Sequence, residues 1–236
     1  EFKNKKFKCF RSLTLHSKIV ISSTLVLIFG GALLIFLFEY SNANTIGVYN
    51  IFDKIQISIF QSITTRTAGF ATIPQENLTD QSVIICLILM FIGGSPVGTA
   101  GGIKTITAVS LLAIAIASIR NKKEVVLFNR NLSSEITRKA VAVTAMSFMI
   151  VMISTILLSL TIDRSIVDIL YETVSATATV GLSRNLTPFL NSIGKIIVII
   201  TMYLGRVGPI SLAIAFKSKK ESSNIILNPT EEVSIG

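Results

Sequence analysis

The sequence predicts an all-α integral membrane protein made of two copies of one helix–re-entrant loop–helix unit. Three observations carry this. Half of the 236 residues are hydrophobic and 15% are charged, with mean hydropathy +0.69, whereas an ordinary soluble domain carries about 25% charged residues. The charges are clustered, so residues 19–38 and 140–162 carry none, and about 20 apolar residues cross a hydrocarbon core of about 30 Å. The chain also repeats itself at an offset of 112 residues.

The net charge of +9 sits in three places. Lys3, Lys5, Lys6, Lys8, Arg11 and Lys18 precede the first window; Arg120, Lys122, Lys123, Arg130, Arg138 and Lys139 precede the second; Lys217, Lys219 and Lys220 follow the last apolar stretch. Positive charge beside apolar spans marks the cytoplasmic side, so all three segments are expected there, in a multi-pass protein of the cell membrane. The charge is that of topology, with no aromatic–basic surface for nucleic acid. The expected units are a basic leader (1–18), a first repeat (19–120), a cytoplasmic linker (121–138), a second repeat (139–217) and a cytoplasmic tail (218–236). Cys9 and Cys86 fall in the leader and in a membrane segment and suggest neither a disulfide nor a metal site. A chain that opens on Glu1 and runs from a basic leader straight into a span reads as a piece of a longer polypeptide.

Between cytoplasmic segments the chain goes out and returns. The first return is broken: residues 83–92 are apolar, then come Gly93, Gly94, Ser95, Gly98, Gly101 and Gly102, and an apolar helix resumes over 108–119. The second return, 196–216, is apolar except for Arg206 and an interruption at Gly205, Gly208 and Pro209. The offset aligns Gly69 with Gly181, Met90 with Met202 and Gly93 with Gly205, without a gap from about residue 51 to 97. In both copies an apolar-periodic stretch of about twelve residues leads into a run of Ser, Thr and Ala closing on one glycine. At about 1.5 Å per residue such a helix crosses half a bilayer. Entering from outside, it aims its partly negative C-terminal end at the membrane centre, which favours a cation. The small residues after it are expected to run outward in extended form, with glycine allowing carbonyls to turn inward and replace a cation's hydration shell. Two matched copies weigh against an outer loop with small residues by chance.

These residues resemble the Trk/Ktr/HKT superfamily of potassium transporters, in particular the membrane subunits of Ktr systems. The resemblance rests on TTRTAGF (64–70), FIGGSPVGTAGGIKTIT (91–107), SATATVGLS (175–183), MYLGRVGP (202–209) and the tail PTEEVSIG (229–236), and covers essentially the whole chain. It implies four helix–pore loop–helix repeats around one axis, of which this chain supplies the third and fourth: half of a pseudo-fourfold, potassium-channel-like pore. Within it, Thr67, Ala68, Gly69, Thr179, Val180 and Gly181 match selectivity-filter residues that hold potassium. Gly93, Gly94, Ser95, Gly98, Gly101 and Gly102 match an intramembrane gate loop, and Arg206 matches a pore-lining arginine below the filter, expected to touch backbone of that loop. The resemblance further implies an N-terminal half with two more repeats, a homodimer of membrane subunits and a cytoplasmic nucleotide-binding regulatory ring, with no organic cofactor in this chain.

Other readings stand beside these. The Gly/Pro break also suits a packing kink, and Arg206 or Lys104 also suits snorkelling to an interface. Arg66 and Glu172 either brace the loops or are solvated at the outer mouth, and His16 reads as a solvated interfacial side chain. A membrane enzyme is disfavoured by a single histidine and the absence of an HExxH pattern or paired intramembrane aspartates. A non-conducting assembly fragment of such a transporter is the remaining alternative.

Overall fold

The computed structural model describes residues 13–95, 100–122 and 124–208. The leader up to residue 12 with Cys9, Gly98 in the broken segment, the apolar stretch beyond Gly208 and the tail 218–236 lie outside the described residues.

The described residues form α1 (Leu15–Glu39), α2 (Ile51–Thr64), α3 (Asp80–Phe91), α4 (Thr105–Ile119), α5 (Ser134–Ser159), α6 (Ile166–Thr177) and α7 (Ser192–Val207). Helices α1 and α5 are long and apolar enough to cross a membrane; α3 and α4 are shorter apolar helices. The internal repeat is plain in the element order. A 3₁₀ turn follows each short helix, at Gln75–Asn77 and Thr187–Phe189, and the next helix starts at Asp80 or Ser192. Both pairs of starts lie at the offset read from the sequence.

Helix starts follow their caps. Thr14, Thr79 and Ser133 hydroxyls and the Asn191 amide oxygen each accept a backbone N–H three residues on, satisfying a donor that the first turn leaves open. Helices α1 and α5 therefore begin before the uncharged windows do. The first turns of α5 carry an exposed Glu135–Lys139 pair at 2.5 Å. The linker holds a small hairpin, β1 (Val126–Leu127) antiparallel to β2 (Arg130–Asn131), turning through Phe128 and Asn129 with φ of 48° and 60°. Two consecutive left-handed residues suit the twist of a two-residue hairpin. His16 is exposed.

Each unit packs as a triplet: α2 and α3 against α1, then α6 and α7 against α5. The units meet where α3 packs on α6 and α4 on α5, and within the first unit α4 returns to pack on α1. Large aliphatic and aromatic side chains such as Val26, Phe29, Leu33, Met149 and Ile153 face outward, while Ser23, Ala32, Ser147, Ser154 and Thr155 are buried. That inverts the soluble pattern and matches helices associating in lipid, where small residues allow close approach and hydroxyls bond across helices. The Thr155 and Thr173 hydroxyls join α5 to α6 at 2.7 Å, and Thr201 donates to Ser154 at 2.8 Å between α7 and α5.

Among the described residues, one carboxylate is fully buried and held by neutral donors. Glu39, 0% exposed, closes α1. Its carboxylate accepts from the Asn42 amide (2.7 Å), the Thr45 hydroxyl (2.6 Å), and the Thr79 backbone N–H (2.8 Å) and hydroxyl (2.7 Å). It thus ties the C-terminal end of α1 to the next loop and to the start of α3. Glu39→Ala is expected to destabilise the first unit by about 2–4 kcal/mol, because several buried donors lose their acceptor at once. Thermal unfolding of the detergent-solubilised protein checks this; an unshifted midpoint would be the contrary result.

Candidate functional site

The short helices α2 and α6 deliver two loops to one place. In the first loop Thr67 and Gly69 have φ of 75° and 80°; in the second Thr179 and Gly181 have φ of 54° and 95°. Ala68 and Val180, between them, are not left-handed. The expectation of extended segments is therefore corrected: both loops coil, with alternating hand. The cause is a hydroxyl at the end of each short helix. Thr64 Oγ1 donates to the Phe70 carbonyl and accepts from the Phe70 N–H, both at 2.7 Å, and the Ser175 hydroxyl accepts from the Gly181 N–H at 3.2 Å. The Ala68 and Gly69 N–H groups return to the Thr64 carbonyl, and the Val180 N–H to that of Ser175. A loop tied back over six residues has no room to extend. Alternating hand sends successive N–H groups to one side of the backbone and carbonyls to the other. Such a line of carbonyls can replace water around a desolvated cation.

The loops touch through their glycines. A Cβ on Gly69 would collide with the Val180 carbonyl oxygen, and one on Gly181 would lie 4.0 Å from Gly69 Cα. The six residues Thr67, Ala68, Gly69, Thr179, Val180 and Gly181 are thus brought together.

The broken segment lies directly against the second loop. Its base is clasped: the Ile103 N–H donates to the Phe91 carbonyl at 3.0 Å and the Thr105 N–H to the Gly94 carbonyl at 3.2 Å, with Ile92 and Ile103 bridged side by side. A side chain at Gly101 would strike the Ala178 carbonyl and the Thr179 hydroxyl. Gly102, with φ of 68°, lies against Ala178, Gly93 against the Gly101 carbonyl, and Gly94 against Ala100. Ser95 is half-buried, and Gly98 lies outside the described residues. From the far side Gly205 of α7 presses on the Thr177 backbone.

Charged side chains surround this layer. Arg66 Nη2 donates to the Gly93 carbonyl at 3.4 Å, so it links the first loop to the start of the broken segment. The Lys104 ammonium turns back to the Ala100 carbonyl. Arg206, in the last described turn of α7, lines a cavity of about 230 Å³ together with Gly101, Gly102, Lys104 and Thr177. Glu172 is buried and accepts the Thr187 hydroxyl at 2.5 Å, bracing the second loop from behind. Cys86 is a buried free thiol on α3.

Sequence reasoning missed Arg184, three residues beyond Gly181. Its Nε bonds Asp168 Oδ1 at 2.7 Å, while Nη1 and Nη2 donate to the carbonyls of Gln75 (3.2 Å) and Glu76 (3.3 Å) in the first unit. The only signal was a basic residue just past the second glycine with an aspartate on the preceding helix, a pattern too common to single out.

Residues 2–227 match the TrkH family, described as a cation transport protein. The chain is 41% identical over 223 residues to Ktr system potassium uptake protein B of Bacillus subtilis, covering 94% of this chain and 49% of that protein. It is 34% identical to the protein of the same name from Vibrio alginolyticus, covering 97% of this chain and 50% of that one. The crystal structure of the potassium transporter TrkH from Vibrio parahaemolyticus superposes with a TM-score of 0.70 at 16% identity, over 83% of this chain and 43% of that one. The chain spans about half the length of the curated relatives it matches.

Proposed function

Since the chain belongs to the TrkH family of cation transport proteins, we propose that it supplies the third and fourth pore-loop repeats of a potassium-uptake subunit of the cell membrane, with its basic segments in the cytoplasm. The observation that carries this is the meeting of Gly69 and Gly181, two matched glycines in backbone contact at the ends of two matched short helices. Thr67, Ala68, Gly69, Thr179, Val180 and Gly181 act as half of a carbonyl-lined filter for potassium. Residues 93–102 act as the gate beneath it. Arg206 faces the gate loop across the cavity and, with Lys104, raises the barrier to a cation that has passed the filter. Potassium is the cargo, and conduction is passive.

Two loops cannot enclose an ion, so the working pore takes two further repeats, from the same polypeptide or from another subunit. The membrane subunits pair as a homodimer, and a cytoplasmic ring that binds nucleotide holds the gate, with 121–138 among its docking surfaces. In a bacterium lacking potassium uptake, the full-length protein that carries these residues is expected to restore growth at low potassium. Normal abundance in the membrane without growth would overturn the transport reading in favour of a non-conducting assembly role.

A further inference from the structure

The two loops are held by more than their own helices. Arg184 extends from the outer arm of the second loop to the 3₁₀ turn after the first, and its three nitrogens that hydrogen-bond there are matched to three acceptors in two elements: a carboxylate on α6 and two consecutive carbonyls in the turn. The pair with Asp168 is largely shielded, the two side chains being 11% and 27% exposed. A planar guanidinium fixed on a carboxylate and two carbonyls has one geometry, which an ammonium cannot reproduce.

The turn that Arg184 grips is itself anchored on both short helices. Gln75 exchanges two amide hydrogen bonds with Gln61 of α2 (2.6 and 3.3 Å) and accepts the Tyr171 hydroxyl of α6 at 3.0 Å. Gln61, Gln75 and Tyr171 are at most 2% exposed. Buried polar groups of this kind are costly unless satisfied, so the arrangement resists deformation. The chain therefore carries a continuous polar brace, from α2 through Gln75 to α6 and from the turn through Arg184 to Asp168. It spans the two units beside the point where Gly69 meets Val180.

We propose that Arg184 is a positioning residue, which through Asp168 and the Gln75–Glu76 carbonyls sets the separation of the two loops and so the discrimination among alkali cations. This rests on the reading of those loops as a filter. An oxygen cage discriminates by size and by the field of its carbonyls; a brace across two of its walls limits how far it closes around a smaller ion. The arginine touches no ion itself.

The test uses the full-length protein in cells lacking other potassium uptake, with initial rates of potassium and sodium entry measured in the same cells and normalised to membrane abundance. Arg184→Gln is expected to lower the potassium-to-sodium ratio about tenfold while maximal potassium uptake stays within about twofold. Asp168→Asn is expected to shift the ratio the same way, and the double variant no further than Arg184→Gln alone, because both act through one contact. Arg184→Lys, which keeps the charge but not the fork, is expected to fall between. A merely structural arginine would lower abundance or maximal rate and leave the ratio unmoved. An unchanged ratio in Arg184→Gln, or in Asp168→Asn and Arg184→Lys if the glutamine variant fails to accumulate, overturns the proposal. Absence of uptake by the unsubstituted protein would instead sink the transport reading itself.

Discussion

On the proposed filter reading, Gly181→Ser is expected to remove most of the preference of uptake for potassium over sodium while leaving the protein in the membrane. Gly181 has φ of 95°, which L side chains rarely adopt, and forcing a Cβ into the left-handed region costs roughly 1–2 kcal/mol. Space around the position is otherwise open, the nearest neighbour of an added Cβ being Gly69 Cα at 4.0 Å. The serine therefore fits only by rotating the backbone, and the carbonyls on either side rotate with it. A fall of about tenfold or more in the ratio of potassium to sodium uptake is the expected result. Gly69→Ser is predicted to be harsher. There the Cβ meets the Val180 carbonyl itself, so uptake of both ions is lost. Unaltered selectivity in Gly181→Ser, measured by competitive uptake, would remove that residue from the filter.

Deleting residues 93–102 is expected to raise potassium flux, by about tenfold if the loop contributes about 1.4 kcal/mol to the barrier. The deletion takes with it the Gly94 carbonyl that accepts the Thr105 N–H. It removes the backbone that packs under Ala178 and Thr179 and the Ala100 carbonyl that holds Lys104. Flux unchanged or lost, in a variant that reaches the membrane and unfolds at the usual temperature, would contradict a gating role.

Much of the architecture was legible in the sequence because its signals are local or periodic. Two uncharged windows give α1 and α5, and one offset foretells both glycines, as well as the starts of the 3₁₀ turns and of α3 and α7. The handedness of the loops was not legible. It depends on Thr64 and Ser175 hydroxyls reaching six residues forward, and a Ser/Thr-rich run offers many such hydroxyls without saying which one bonds. Glu39 closes the first uncharged window in the sequence; its burial follows from Thr45 and Thr79, which the fold alone brings to it. The bond from Lys104 to the Ala100 carbonyl was not legible because its acceptor lies in irregular backbone that periodicity does not describe. The Arg184 contacts join residues more than a hundred positions apart, beyond any pattern that spacing can reveal.

The clasp at the base of residues 93–102 bears on how passage is timed. The bonds from Ile103 to Phe91 and from Thr105 to Gly94 join the end of α3 to the start of α4 directly. Chain segments of this length close in about 10–100 ns, far faster than helices slide past one another. On the reading of residues 93–102 as a gate, the joint between α3 and α4 is then separate from the part that would open, so a latch on that part rather than the helices would set the rate.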